Sequence, residues 1–125
     1  MIKTSHRARY RHTRTLQHHY VPSNNTIAQR AQNIKAILSP VLFYLDELPG
    51  LELRRESGWH DGGLCPFHAD RHAGSFKINL DSGAFKCFAC GVAGGDIIAF
   101  YRLRYCTDFM TALSDLEGRA GIWRR

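Results

Sequence analysis

The sequence predicts a small α+β fold: an antiparallel ribbon with helices before and after it. Three observations carry this expectation. Residues 75–80 alternate, with Phe76, Ile78 and Leu80 on one face and Lys77 and Asn79 on the other. Asp81-Ser82-Gly83 then turns the chain back into residues 84–88, which is a hairpin signal. Capped stretches of helical period stand on both sides, and two pairs of metal-ligand residue types bracket the hairpin: Cys65 with His68, and Cys87 with Cys90.

The elements follow in chain order. Residues 1–26 are basic, rich in His and Ser, and without apolar period, so they read as a disordered arm. Ile27, Ala31, Ile34 and Leu38 then keep helical spacing, with caps available in Ser23-Asn24-Asn25-Thr26. Pro40 ends that helix or starts another, because proline lacks the amide that a helix interior needs. Residues 41–48 suit a second helix capped by Ser39, and Pro49-Gly50 is a turn. Residues 51–55 and 59–64 read as short strands ahead of the hairpin. Asp96 can cap a helix carrying Ile97, Tyr101 and Tyr105 along one side. Thr107 or Asp108 can cap the last helix, with Phe109, Leu113 and Leu116 inward and Gly118 as its stop. One domain over 27–118 is expected, with residues 119–125 as a basic tail.

The chain has 125 residues, room for one domain and a tail. It has no apolar run of about 18 residues, so no membrane contact is expected. The polar, basic start lacks the apolar core of a secretory signal, so a cytoplasmic location is expected. Net charge is +6, and its placement matters more than its size. Residues 1–45 hold seven Lys or Arg and no acid; residues 46–125 hold ten Lys or Arg and all eleven acids. The excess charge is therefore an arm on a nearly neutral body. Such arms meet nucleic acid by releasing counterions, or are simply solvated.

Cys65-Pro66-Phe67-His68 and Cys87-Phe88-Ala89-Cys90 each set two ligands three positions apart. A tight turn with that spacing aims both side chains at one tetrahedral ion, and two such turns complete the four ligands of a zinc ribbon. One Zn²⁺ is expected, held by Cys65, His68, Cys87 and Cys90. Four protein ligands leave no position for water, so the metal would be structural. A redox role for Cys87 and Cys90 would leave Cys65 and His68 unexplained. His60, His72 and Cys106 are rival ligands; Cys106 reads most simply as a core thiol. His6, His12, His18 and His19 read as arm residues.

These residues resemble a known family. Gly63-Leu64-Cys65-Pro66-Phe67-His68, Ser75-Phe76, Phe85-Lys86-Cys87-Phe88-Ala89-Cys90-Gly91 and Gly94-Gly95-Asp96-Ile97-Ile98-Ala99-Phe100 are similar, in this order, to the CHC2-type zinc-binding domain of bacterial and phage DNA primases. The likeness covers about residues 30–118. It implies a zinc ribbon whose sheet face helps to hold single-stranded template DNA. In that family the ribbon precedes a Toprim-type catalytic core with a glutamate and an Asp-x-Asp pair for Mg²⁺. This chain has no Asp-x-Asp. Its one acid-x-acid, Asp115-Leu116-Glu117, points its acids roughly 200° apart on a helix. No catalytic residues are therefore assigned, and the chain is not expected to be catalytic alone. Gly74 stands where the family usually has proline.

The residues themselves also suggest nucleic acid. Lys77 and Lys86 should face away from the core on the hairpin, and Arg71 and His72 lie on the adjoining loop. Cations hold phosphates while aromatics stack on bases. Phe76, Phe85 and Phe88 read first as core, and Trp59 as the exposed aromatic. Arg54 and Arg55 complete the candidate set. Together with the resemblance, which implies the primase setting, the expected function is a single-stranded-DNA-binding module in primer synthesis, with a primase catalytic subunit or a replicative helicase as partner, within a primosome or a mobile element. The alternatives are a protein-docking adaptor and a cut-down primase enzyme.

Overall fold

The computed structural model describes residues 19–21 and 26–124. The elements run β1 (His19–Val21), α1 (Ile27–Ile37), α2 (Pro40–Glu47), β2 (Trp59–Asp61), β3 (Phe76–Asn79), β4 (Phe85–Cys87), β5 (Ala93–Gly94), α3 (Ile97–Tyr105), α4 (Phe109–Ala120) and β6 (Ile122–Arg124). The fold is α+β, as the sequence predicts.

Each helix begins at a capping side chain that satisfies an otherwise orphan amide. Thr26, Ser39, Asp96 and Asp108 accept from the amides of Gln29, Leu42, Ala99 and Thr111. Pro40 opens α2, where its missing N–H costs nothing. Helix α4 runs through Gly118, the expected stop, and ends at Gly121 with φ 73°. A glycine inside a helix is tolerated; the left-handed turn needs the one after it.

Strands β2 to β5 form one antiparallel sheet in chain order. Phe76 and Ile78 on β3 and Phe85 and Cys87 on β4 face the core. Residues 51–55 are not a strand, although Leu51 is fully buried. The expected strand over 59–64 stops at Asp61, and Gly63, at φ 81°, turns the chain into the first ligand pair. The two-residue β5 has too little length to show a pattern. Of the expected arm, His19–Val21 form β1 and Thr26 caps α1; its other residues lie outside the described ones. Of the expected tail, Arg119 and Ala120 complete α4, and β6 pairs in parallel with β1.

The core gathers around Phe100 of α3. Its ring centroid lies 5.1–5.6 Å from those of Phe43, Tyr44, Phe67 and Phe85, mostly edge to face, and 6.4 Å from that of Phe76. Helix, strand and ligand turn thus share one aromatic cluster. Tyr44 also donates its hydroxyl hydrogen bond to the Gly83 carbonyl at 2.7 Å, tying α2 to the hairpin turn. Gly83 has φ 83°, and a Cβ there would lie 2.9 Å from Ile97 Cγ2. Among the described residues no helix is long and apolar enough to cross a membrane.

Candidate metal centre and nucleic-acid face

The sheet brings the two ligand turns together. Cys87 ends β4 and pairs with Phe76 of β3, while Cys65 and His68 lie in the loop between β2 and β3. One ligand atom from each of Cys65, His68, Cys87 and Cys90 lies within 4.8 Å of every other. Cys65 Sγ is 3.9 Å from Cys90 Sγ, and Cys87 Sγ is 3.5 Å from His68 Nε2. A tetrahedral zinc ion with ordinary Zn–S and Zn–N lengths sets those edges at about 3.8 and about 3.5 Å. The donor set and its geometry therefore fit zinc.

The support around these ligands is local. Asp70 accepts the Cys65 N–H at 2.7 Å, which also holds its own carboxyl below the usual range. The Phe67 N–H points at Cys65 Sγ, and the Phe67 ring stacks on Phe85. In the second turn the Gly91 N–H donates to the Cys87 carbonyl, with Gly91 at φ 85°. Burial pushes the Cys65 thiol up to about 12. At Cys87 the same desolvation is outweighed by the backbone N–H groups of Cys90 and Ala89 and by His68, so that thiol falls to about 7. A bound cation overrides both by taking thiolates.

The rival ligands lie elsewhere. His60 is buried opposite Ile78; its Nε2 accepts the Arg54 N–H at 3.0 Å and its Nδ1 lies 2.7 Å from the Asp61 carbonyl. Both ring nitrogens are engaged, which fixes the tautomer with Nδ1 as donor. His72 is exposed and outside the ligand cluster. Cys106, expected in the core, is exposed, because it caps α3 in a left-handed conformation that turns the chain outward. Asp115 accepts from the Tyr101 hydroxyl, whereas Glu117 is buried against Arg30, so these two acids do not converge on one ion.

The opposite face of the sheet is cationic and aromatic. Lys77 and Lys86 are cross-strand partners, as are Asp61 and Lys77. Arg54, Arg55, Trp59, Lys77, Lys86 and Phe88 line a cleft of about 540 Å³. The Arg55 guanidinium donates to the Trp59 carbonyl, tying the loop before β2 to that strand. Arg71 and His72 are exposed on the loop before β3 but do not line the cleft. Phe76 and Phe85 pack the core as expected; Phe88 is 69% exposed and does not. Strand β4 ends at Cys87, and the turn between the second pair of ligands directs Phe88 outward beneath Lys86, whose Nζ lies 5.4 Å from the ring centroid. The signal was its place inside Cys-x-x-Cys, where strand alternation no longer applies.

Comparison with known proteins agrees with this geometry. The CHC2 zinc finger model matches residues 48–124. The DNA primase of Streptomyces coelicolor is 36% identical over 94 residues, which cover 75% of this chain and 14% of that protein. The DNA primase of Treponema pallidum is 42% identical over 72 residues, 58% of this chain and 11% of that protein. Among solved structures, the Aquifex aeolicus primase, comprising zinc-binding and RNA polymerase domains, superposes with a TM-score of 0.56 at 29% identity, over 74% of this chain and 21% of that one. The chain thus spans a small part of the length of these relatives. With its four ligands gathered at one point and the family's pattern running through the ribbon, the chain belongs to the CHC2 zinc-finger family found in DNA primases.

Proposed function

We propose that this chain binds single-stranded nucleic acid on the outer face of its sheet and serves primer synthesis together with a separate catalytic partner. One observation carries the reading: four cations, Arg54, Arg55, Lys77 and Lys86, share one cleft with two aromatic rings, Trp59 at 50% and Phe88 at 69% exposure. Cations hold phosphates, and an exposed ring stacks on a base for about 1–3 kcal/mol. Duplex DNA hides the faces of its bases, so a stacking cleft favours single strands. Arg71 and His72 would extend the phosphate track along the adjoining loop. One structural zinc ion, held by Cys65, His68, Cys87 and Cys90, would fix the sheet that presents the cleft. The partner in this reading is a primase catalytic subunit or a replicative helicase in the cytoplasm.

The test is fluorescence anisotropy with labelled single-stranded and double-stranded DNA at two salt concentrations, using the full chain and a form lacking residues 1–18, which removes the basic arm and keeps β1 and the Thr26 cap. The shorter form should still prefer single strands. Equal binding of both DNA forms, or loss of all binding with the arm, would refute the cleft as a template site. A second reading has its own support: Leu103, Tyr105 and Met110 are exposed apolar residues at the α3–α4 end, a surface suited to an adaptor that docks protein. Partner capture without DNA affinity would favour it.

A further inference from the structure

We infer that Asp61 reads a base: its carboxylate selects guanine within the cleft. The inference rests on the nucleic-acid reading of that face. Asp61 lies on β2 two residues from Trp59, so both side chains leave the same side of the strand. It lines the cleft and is the one acid to do so. Its cross-strand neighbour is Lys77, and four cations surround the cleft, yet among the described residues Asp61 makes no ion pair. Among the described residues its carboxylate takes one hydrogen bond, from the Gly63 N–H to Oδ1 at 3.2 Å. A carboxylate has about four acceptor sites, so most of its capacity is left for a ligand.

An acid in a wall built for phosphates lowers affinity for every strand alike. It gains only where a ligand offers donors. Guanine alone among the DNA bases sets two donors side by side on its Watson–Crick edge, N1–H and the N2 amino group, and these match the two oxygens of a carboxylate. Cytosine and adenine set one amino group beside an acceptor. Thymine sets one N–H between two carbonyl oxygens. In a single strand these edges are open to side chains. Trp59 and Asp61 are about 7 Å apart along the strand, a spacing that lets a base stack on the ring and turn its edge to the carboxylate.

Asp61 also shapes the turn into the first pair of ligands through Gly63, and the variants must separate the two roles. Asp61→Asn keeps an acceptor for the Gly63 N–H and replaces the other oxygen with a donor. Removing a negative charge should strengthen binding of all strands, so the ratio between strands is the readout. Short thymidine oligonucleotides carrying guanine, hypoxanthine or thymine at one central position are titrated against the full zinc-loaded protein. Guanine should bind roughly 5- to 150-fold tighter than thymine, the range for one bidentate base contact. Hypoxanthine, which lacks the N2 amino group, should lose most of that preference. Asp61→Asn should bring the three strands together, as should Asp61→Ser, which keeps a turn acceptor on a shorter arm. An unchanged ratio in both variants, or equal binding of all three strands by the wild type, overturns the inference alone. Failure to bind any strand overturns the nucleic-acid reading and the inference with it.

Discussion

Lys77 and Lys86 stand directly opposite each other on β3 and β4, an arrangement that costs stability unless something negative lies over them. Replacing both with Ala should leave thermal stability level or slightly higher. It should also flatten the salt dependence of DNA binding by up to about two units of log–log slope, one for each phosphate left without its lysine. Salt titrations of the double variant check this; an unaltered slope removes the pair from the interface. Both lysines were legible in the sequence, because alternation between Phe76 and Ile78 forces residue 77 outward. Trp59 was legible as well, and it is exposed. Phe88 was not, because it sits in a ligand turn where alternation has ended. Cys106 misled for the opposite reason: cysteine composition suggests the core, whereas its backbone conformation at the end of α3 decides its exposure.

At the scale of elements, α1 and α4 are joined by a two-pronged ion pair that sequence alone does not reveal. Arg30 donates through Nε to Glu117 Oε2 at 2.9 Å and through a terminal nitrogen to Oε1 at 2.8 Å. Their side chains are 9% and 7% exposed. Arg30→Ala removes both charged hydrogen bonds from a buried carboxylate and should cost about 3 kcal/mol, the low end for breaking a buried pair, since this one lies just beneath the surface. Arg30→Met with Glu117→Leu should recover most of that loss, because apolar residues need no partner. Urea unfolding of both variants decides; a single variant as stable as wild type would show that solvent already screens the pair. The helices themselves were readable because a cap and a 3.6-residue period are both local signals. Strand pairing is not local. The parallel pairing of β1 with β6 joins segments about a hundred positions apart in sequence, so neither His19–Val21 nor Ile122–Arg124 announced itself. Residues 51–55 had strand composition but found no partner strand.

For the whole molecule, the ligand turns and the core form one cooperative object. Phe67 lies between Cys65 and His68 and packs on Phe76, Phe85 and Phe100, so releasing the first turn opens the aromatic cluster. A domain of this size is stable by about 5–15 kcal/mol, and structural zinc in small modules supplies about 10–16 kcal/mol at neutral pH. The metal term is therefore as large as the whole stability. Chelation should abolish the near-ultraviolet dichroism of the packed aromatics and turn a cooperative melt into a broad one. Zinc should restore both, and magnesium should not, because thiolates suit the softer ion. Zinc binding must also expel thiol protons, above all from Cys65, which burial holds protonated up to about 12. Apparent zinc affinity should therefore rise with pH, and the folded form should be lost as pH falls through the range where protons compete for the ligands. A chelated protein with unchanged dichroism and an unchanged melt would show that the aromatic cluster folds alone, and that the four ligands do not hold up the sheet on which the cleft is built.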